Sequence, residues 1–168
     1  MPAISVFVSY ARADDEATYR RITRLKKDIQ LAYSALNGES VGVFQDVESI
    51  ELGDNWRDRI RAGLTSSSIF LAFVSPAFLR STACREEARE FLGILRSSRN
   101  ERLVIPLIFG DMSRLKSRFA DDDLWGELSS LQALPTGALR SAEPGSSVWM
   151  SNVHEIAERI ELELSRSH

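Results

Sequence analysis

Ser68 to Glu90 reads SIFLAFVSPAFLRSTACREEARE and changes character twice. Ile69 to Val74 is an unbroken apolar run, short enough for a strand and too continuous for a half-exposed one. Such runs fit strands buried on both faces, as in a parallel sheet covered by helices. Ser75-Pro76 then stops the strand, because proline cannot donate the next ladder hydrogen bond. Ser81 or Thr82 caps a following helix, whose positive N-terminal end suits the acids Glu86 and Glu87. Ser81, Cys84 and Glu87 recur every three residues, which puts a hydroxyl, a thiol and a carboxylate along one side of the first helical turns. A carboxylate there sits beside the C-terminal edge of the sheet, where open α/β folds bind ligands.

The same alternation extends outward in both directions. Ile4–Val8 is a β-branched and aromatic first strand, followed by a loop from Ser9 to Asp15 in which Asp14 or Asp15 caps the next helix. From Glu16 to Leu36 the apolar positions Tyr19, Ile22, Leu25, Ile29, Ala32 and Leu36 form one buried face, with Arg20, Arg21, Arg24, Lys26 and Lys27 on a solvated one. Val41–Phe44 is a short second strand, the acidic loop Gln45–Gly53 follows, and Asp54 caps a helix through Trp56, Ile60 and Leu64. Leu103–Phe109 is a fourth strand whose Pro106 belongs near an edge or a bulge. Beyond Gly110 the pattern weakens to a short helix (Asp123–Leu131), a last short strand (Leu131–Leu134) and a helix over Val148–Leu164 with Val153, Ile156, Ile160 and Leu164 inward. Strand, helix, strand, helix, strand, helix, strand predicts a flavodoxin-like three-layer fold: a mostly parallel sheet of four to five strands with helices on both faces.

At 168 residues the chain reads as a single domain over 1–168. A net charge of −3 gives no electrostatic footprint for nucleic acid or an anionic membrane. No apolar segment reaches the roughly 18 residues needed to span a bilayer. The first residues lack the basic region and cleavage site of a signal peptide. One cysteine, Cys84, cannot form an internal disulfide, which fits the cytoplasm. His154 and His168 lie far from any ligand cluster, so no metal site is expected.

Parallel winding delivers every strand-to-helix loop to one edge. Those loops carry Ser9, Tyr10 and Arg12, then Asp46, Glu48 and Glu51, then Ser75 to Glu87, then Gly110 and Asp111. Taken singly, Asp14 and Asp54 read as helix caps, Glu86 as a solvated first-turn acid, and Cys84 as a small buried residue. No histidine lies in these loops to activate the thiol, which argues against thiol catalysis.

Together the motifs resemble a TIR domain (Toll/interleukin-1 receptor/resistance protein) of bacterial type, well over about Ile4 to Asp111 and more loosely over 112–168. Val6-Phe7-Val8-Ser9-Tyr10 is similar to the family's first box. Phe44-Gln45-Asp46 with Gly53 and Trp56 is similar to its second box and BB loop. Ser81-x-x-Cys84-x-x-Glu87 matches the pattern of members that consume NAD+, where the glutamate is catalytic. The resemblance implies an NAD+ nucleosidase that releases nicotinamide and ADP-ribose or a cyclic isomer, in bacterial immune signalling or defence. NAD+ is then a substrate, and no cofactor is implied. It makes Glu87 catalytic; Ser9, Tyr10, Arg12, Asp46, Trp56, Ser81 and Cys84 substrate-binding; and Glu48, Glu51 and Gly53 part of an assembling BB loop. Other TIR protomers are the implied partners, with a sensor or oligomerising module in the same or another chain. There are departures: Ala83 stands where many members carry tryptophan, Leu52 precedes Gly53 in place of the adaptor-type proline, and Val148-Trp149 only echoes the third box. A ring platform for the substrate is therefore either missing or supplied by Tyr10 or Trp56.

Cleavage between nicotinamide and ribose passes through a sugar cation and expels a neutral leaving group, so one fixed carboxylate suffices. Glu87 fits that role beside a helix N-terminus, Arg12 a phosphate contact, and Tyr10 or Trp56 ring stacking. Two other classes share this winding. A non-catalytic TIR–TIR interaction module would not need the Ser-Cys-Glu pattern. A phosphoacceptor receiver needs an aspartate ending its third strand, where this chain has Ser75-Pro76.

Overall fold

β-branched and aromatic residues fill the strands, and every residue of Ser5–Ser9 (β1) and Ser68–Val74 (β3) is buried. The computed structural model describes residues 4–39, 43–47, 68–97, 99–100 and 103–166. Helices Arg12–Ala17 (α1) and Arg21–Asn37 (α2) follow β1, and Val43–Asp46 forms β2. After β3 come Pro76–Arg80 (α3), Thr82–Ser97 (α4) and Val104–Ile108 (β4). Met112–Arg118 (α5), Asp123–Ser129 (α6), the two-residue strand Leu134–Pro135 (β5), a 3₁₀ turn at Gly137–Arg140 and Ser147–Arg166 (α7) complete the order.

The sheet has five strands in the order β2-β1-β3-β4-β5, and every pairing is parallel. Val8 is opposite Asp46 and Ser9 opposite Ala72, so β1, β2 and β3 bring their following loops to one edge. This is the flavodoxin-like arrangement the alternation predicts. Pro106 sits as expected. The Phe109 amide donates to Val74, so by strand alternation Pro106 directs its missing donor to the other side. There β5 pairs only with Leu107 and Ile108.

Several expectations need correction. The helix read from Glu16 to Leu36 is two helices, because Tyr19 and Arg20 both take left-handed conformations at φ 52° and 65°. Residues 12–15, read as loop, are the start of α1. The break turns Tyr19 out to 89% exposure, although Ile22, Leu25, Ile29 and Ala32 are buried as the spacing requires. Leu36 is exposed as well. Asp15 caps α2 from outside, accepting from the Thr23 amide at 3.0 Å and the Thr23 hydroxyl at 2.7 Å. The bases of α2 are not all solvated: Arg21 donates to the carbonyls of Thr18 and Ala142, and Lys26 pairs with Asp46. Ser75-Pro76 ends β3 and also starts α3, with Ser75 as cap and Pro76 in the first helical position. Sequence patterning gave no sign of α5, and the last strand falls at Leu134–Pro135 rather than Leu131–Leu134. α7 agrees with its expected bounds, packs along α2, and buries Trp149, Val153, Ile156, Ile160 and Leu164. The Trp149 indole donates to Asp28 at 2.8 Å, so the echo of a third box joins two helices. The helix expected from Asp54 through Leu64 lies outside the described residues.

Candidate active site

Alternation along β1 turns Phe7 and Ser9 to the face covered by α4. Phe7 meets Phe91 at 5.5 Å between ring centroids, and Phe91 stacks on Phe70 of β3 at 4.2 Å. Two residues further along β1, the buried Ser9 hydroxyl donates to Glu87 Oε2 at 2.8 Å. The four helix residues from Glu87 to Phe91 and the two strand residues from Phe7 to Ser9 span similar lengths, about 6 Å and about 6.6 Å. The aromatic pair therefore sets the register that brings Glu87 to the end of β1. Glu87 is half-buried there, at the rim of a helix face formed by Cys84, Ala88, Phe91, Leu92 and Leu95.

Ser81 accepts from the Cys84 amide at 3.2 Å, so it is the cap the sequence suggested. The helix proper starts at Thr82, which puts Glu86 and Glu87 in its second turn and not its first. The helix dipole acts mainly within the first turn, so it favours Glu87 less than expected. Glu86 is exposed, and Cys84 is 1% exposed, beneath the helix.

A second group lies where β1 and β2 end. The Tyr10 phenol donates to Asp46 Oδ2 at 2.8 Å, and the Lys26 ammonium pairs with Asp46 Oδ1 at 2.6 Å. The same ammonium lies 5.1 Å from the Tyr10 ring centroid. Tyr10 also lines a surface cavity of about 240 Å³ with Arg12, Asp15, Glu16 and Arg20. Arg12 is exposed there.

A third group braces the edge from below. Asp14, read as a cap, is buried and caps nothing: it accepts from the Ser75 hydroxyl and, at 3.1 Å, from Arg140. Arg140 also donates to the Phe109 carbonyl at 3.0 Å, with its guanidinium 4.9 Å from the Phe109 ring. Loops after β1, β3, β4 and β5 are thus joined through one carboxylate. Asp111 caps α5 by accepting from the Arg114 amide at 3.2 Å.

Of the residues singled out from sequence, Ser9 and Glu87 meet each other, Tyr10 meets Asp46, and Tyr10 and Arg12 share a cavity. Glu48, Glu51, Gly53 and Trp56 lie outside the described residues. Sequence reasoning did not find Lys26 or Arg140. Among the described residues no group of three or more His, Cys, Asp or Glu side chains could hold a metal, and no helix is long and apolar enough to cross a membrane.

A family model described as TIR domain matches residues 6–134. Comparison with curated proteins and with solved structures returned no match.

Proposed function

Because the chain belongs to the TIR domain family, we propose that it is an NAD+ nucleosidase in which Glu87 is the catalytic residue. TIR domains act in signalling or NAD chemistry and associate with one another. The observation that carries the catalytic reading is the Ser9–Glu87 hydrogen bond, which holds a half-buried carboxylate at the C-terminal edge of the sheet. The bond between the pyridinium nitrogen and ribose C1′ breaks, and its electron pair stays on nitrogen. Nicotinamide leaves neutral, so no acid is needed. The positive charge develops on the ribose, where a fixed anion stabilises it more than it stabilises the substrate. Water then adds at C1′ and loses a proton to give ADP-ribose; capture by a nucleophile of the adenine gives a cyclic isomer. Tyr10 supplies a ring face, Arg12 a cation for the diphosphate, and Ser9 aims the carboxylate. Association with other TIR protomers, within bacterial immune signalling or defence, raises the activity.

The test is to incubate the chain with NAD+ over a range of protein concentrations and to follow nicotinamide and the ribose product by chromatography. Nicotinamide release that Glu87→Gln abolishes supports the proposal. Absence of release at every concentration rejects it and leaves a TIR–TIR docking module.

A further inference from the structure

We propose that Lys26 is a positioning residue for dinucleotide binding, acting through Asp46 on Tyr10. This rests on the reading of the site as one that binds NAD+. Lys26 belongs to α2, where Arg24 and Lys27 are exposed, yet its side chain is only 19% exposed and that of Asp46 only 21%. Its ammonium has two partners at once, the Asp46 carboxylate at 2.6 Å and the Tyr10 ring at 5.1 Å. The second carboxylate oxygen takes the phenol proton at 2.8 Å, so the three side chains close on one another.

Two consequences follow for a ligand. A phenol has one O–H to donate, and Tyr10 donates it to Asp46. That proton is then not available to a dinucleotide, and what the anchored Tyr10 adds to the cavity it lines with Arg12, Asp15, Glu16 and Arg20 is chiefly the ring. A ring already fixed in place has less rotational freedom to lose when a base stacks on it. The second consequence is electrostatic. An unneutralised carboxylate at the end of β2 would oppose a diphosphate nearby, and a half-buried pair is screened less than an exposed one. Lys26 offsets that charge while leaving Asp46 able to accept from Tyr10.

Binding can be read without turnover in the Glu87→Gln protein, titrated with NAD+ and followed by NMR. Adding Lys26→Met keeps the aliphatic stem and removes the ammonium; it should raise Kd about tenfold, as expected for losing one charge-assisted contact at the site. Adding Asp46→Asn as well should bring Kd back to within about threefold of the starting protein, because the amide oxygen still accepts from Tyr10 and carries no negative charge. In the chain with Glu87 intact, Lys26→Met should raise KM and leave kcat within about twofold, the pattern of lost uniform binding. Lys26→Gln serves equally should the methionine variant fold poorly. A Kd changed less than twofold by Lys26→Met overturns the inference, and so does a double variant as weak as the single one. NAD+ binding that follows this pattern without cleavage by the Glu87 protein rejects the nucleosidase and keeps the role of Lys26. No NAD+ binding by any variant rejects both.

Discussion

Ser9 and Glu87, 78 positions apart in sequence, share a 2.8 Å hydrogen bond in which the strand hydroxyl donates to the helix carboxylate. The bond joins the last residue of β1 to the second turn of α4, and both ends are held by the Phe7–Phe91 contact below. Glu87→Gln should abolish nicotinamide release and change stability by less than about 1 kcal/mol, since a half-buried edge residue contributes little to the core. Ser9→Ala should lower kcat about tenfold, the equivalent of about 1.4 kcal/mol, by loosening the carboxylate. Glu86→Gln, at an exposed position, is the control and should stay within about twofold. Chromatographic rates for the three variants decide the matter; equal losses from Glu86 and Glu87 would reject the assignment.

Asp14 should matter for the fold more than its place in a polar loop suggests. Asp14→Ala leaves Arg140 without its carboxylate and Ser75 without an acceptor in a buried setting. Breaking a buried pair from one side costs about 3–5 kcal/mol, and the partial exposure of Arg140 moves the expected loss toward the lower figure. Urea denaturation at neutral pH measures it. A shift below about 0.5 kcal/mol would mean that the four loops do not depend on this carboxylate.

Two glycines should respond to alanine with opposite signs. A Cβ on Gly137 would lie 2.6 Å from the Gly110 carbonyl oxygen, a backbone atom that cannot swing aside. Gly137→Ala should therefore destabilise by about 1–3 kcal/mol as the loops after β4 and β5 are forced apart. Gly93, inside α4, has nothing within 4 Å of such an atom. Gly93→Ala should stabilise by about 0.5–1 kcal/mol through helix propensity. Thermal melts of both variants test the pair, and a common sign would contradict the packing described.

Asp122 caps α6 by accepting from the Trp125 amide at 3.0 Å, and it pairs with Arg85 at 2.9 Å. Burial pushes its carboxyl upward, but the Trp125 amide and the Arg85 guanidinium together outweigh it, and the pKa falls below the ordinary 3.8. A lowered acid stabilises the fold fully above its unfolded value and loses that contribution as pH falls through the folded one. Asp122→Ala should cost about 1–2 kcal/mol at neutral pH, where both cap and pair are lost. The gap to the parent chain should narrow below pH 3.8. Melting temperatures across that range check it, and a pH-independent gap would refute the linkage.

Much of this was legible from pattern because buried parallel strands leave continuous apolar runs and their helices leave a clear stripe. β3, α4 and α7 announce themselves in that way. The break at Tyr19-Arg20 does not, since the apolar spacing runs straight across it and neither residue is glycine. Asp14 was misread because a cap and a buried counter-ion look alike in sequence, and its partner Arg140 is 126 positions away. Lys26 carried no signal, being one base among five on a helix. The Ser9–Glu87 pairing was half visible: winding puts both residues at one edge, but only the Phe7–Phe91 register brings them into contact.

The family match stops at residue 134, whereas the mutual dependence of the parts continues past it. Arg140 neutralises Asp14, near the start of that stretch, and α7 packs along α2 while burying its own Trp149, Val153, Ile156 and Ile160. A chain cut at the end of the match would strip α2 of the helix packed along it and leave Asp14 without Arg140. A fragment meant to keep these contacts should therefore extend past the match and include α7, because the match ends before the residues that close the fold around α2 and Asp14.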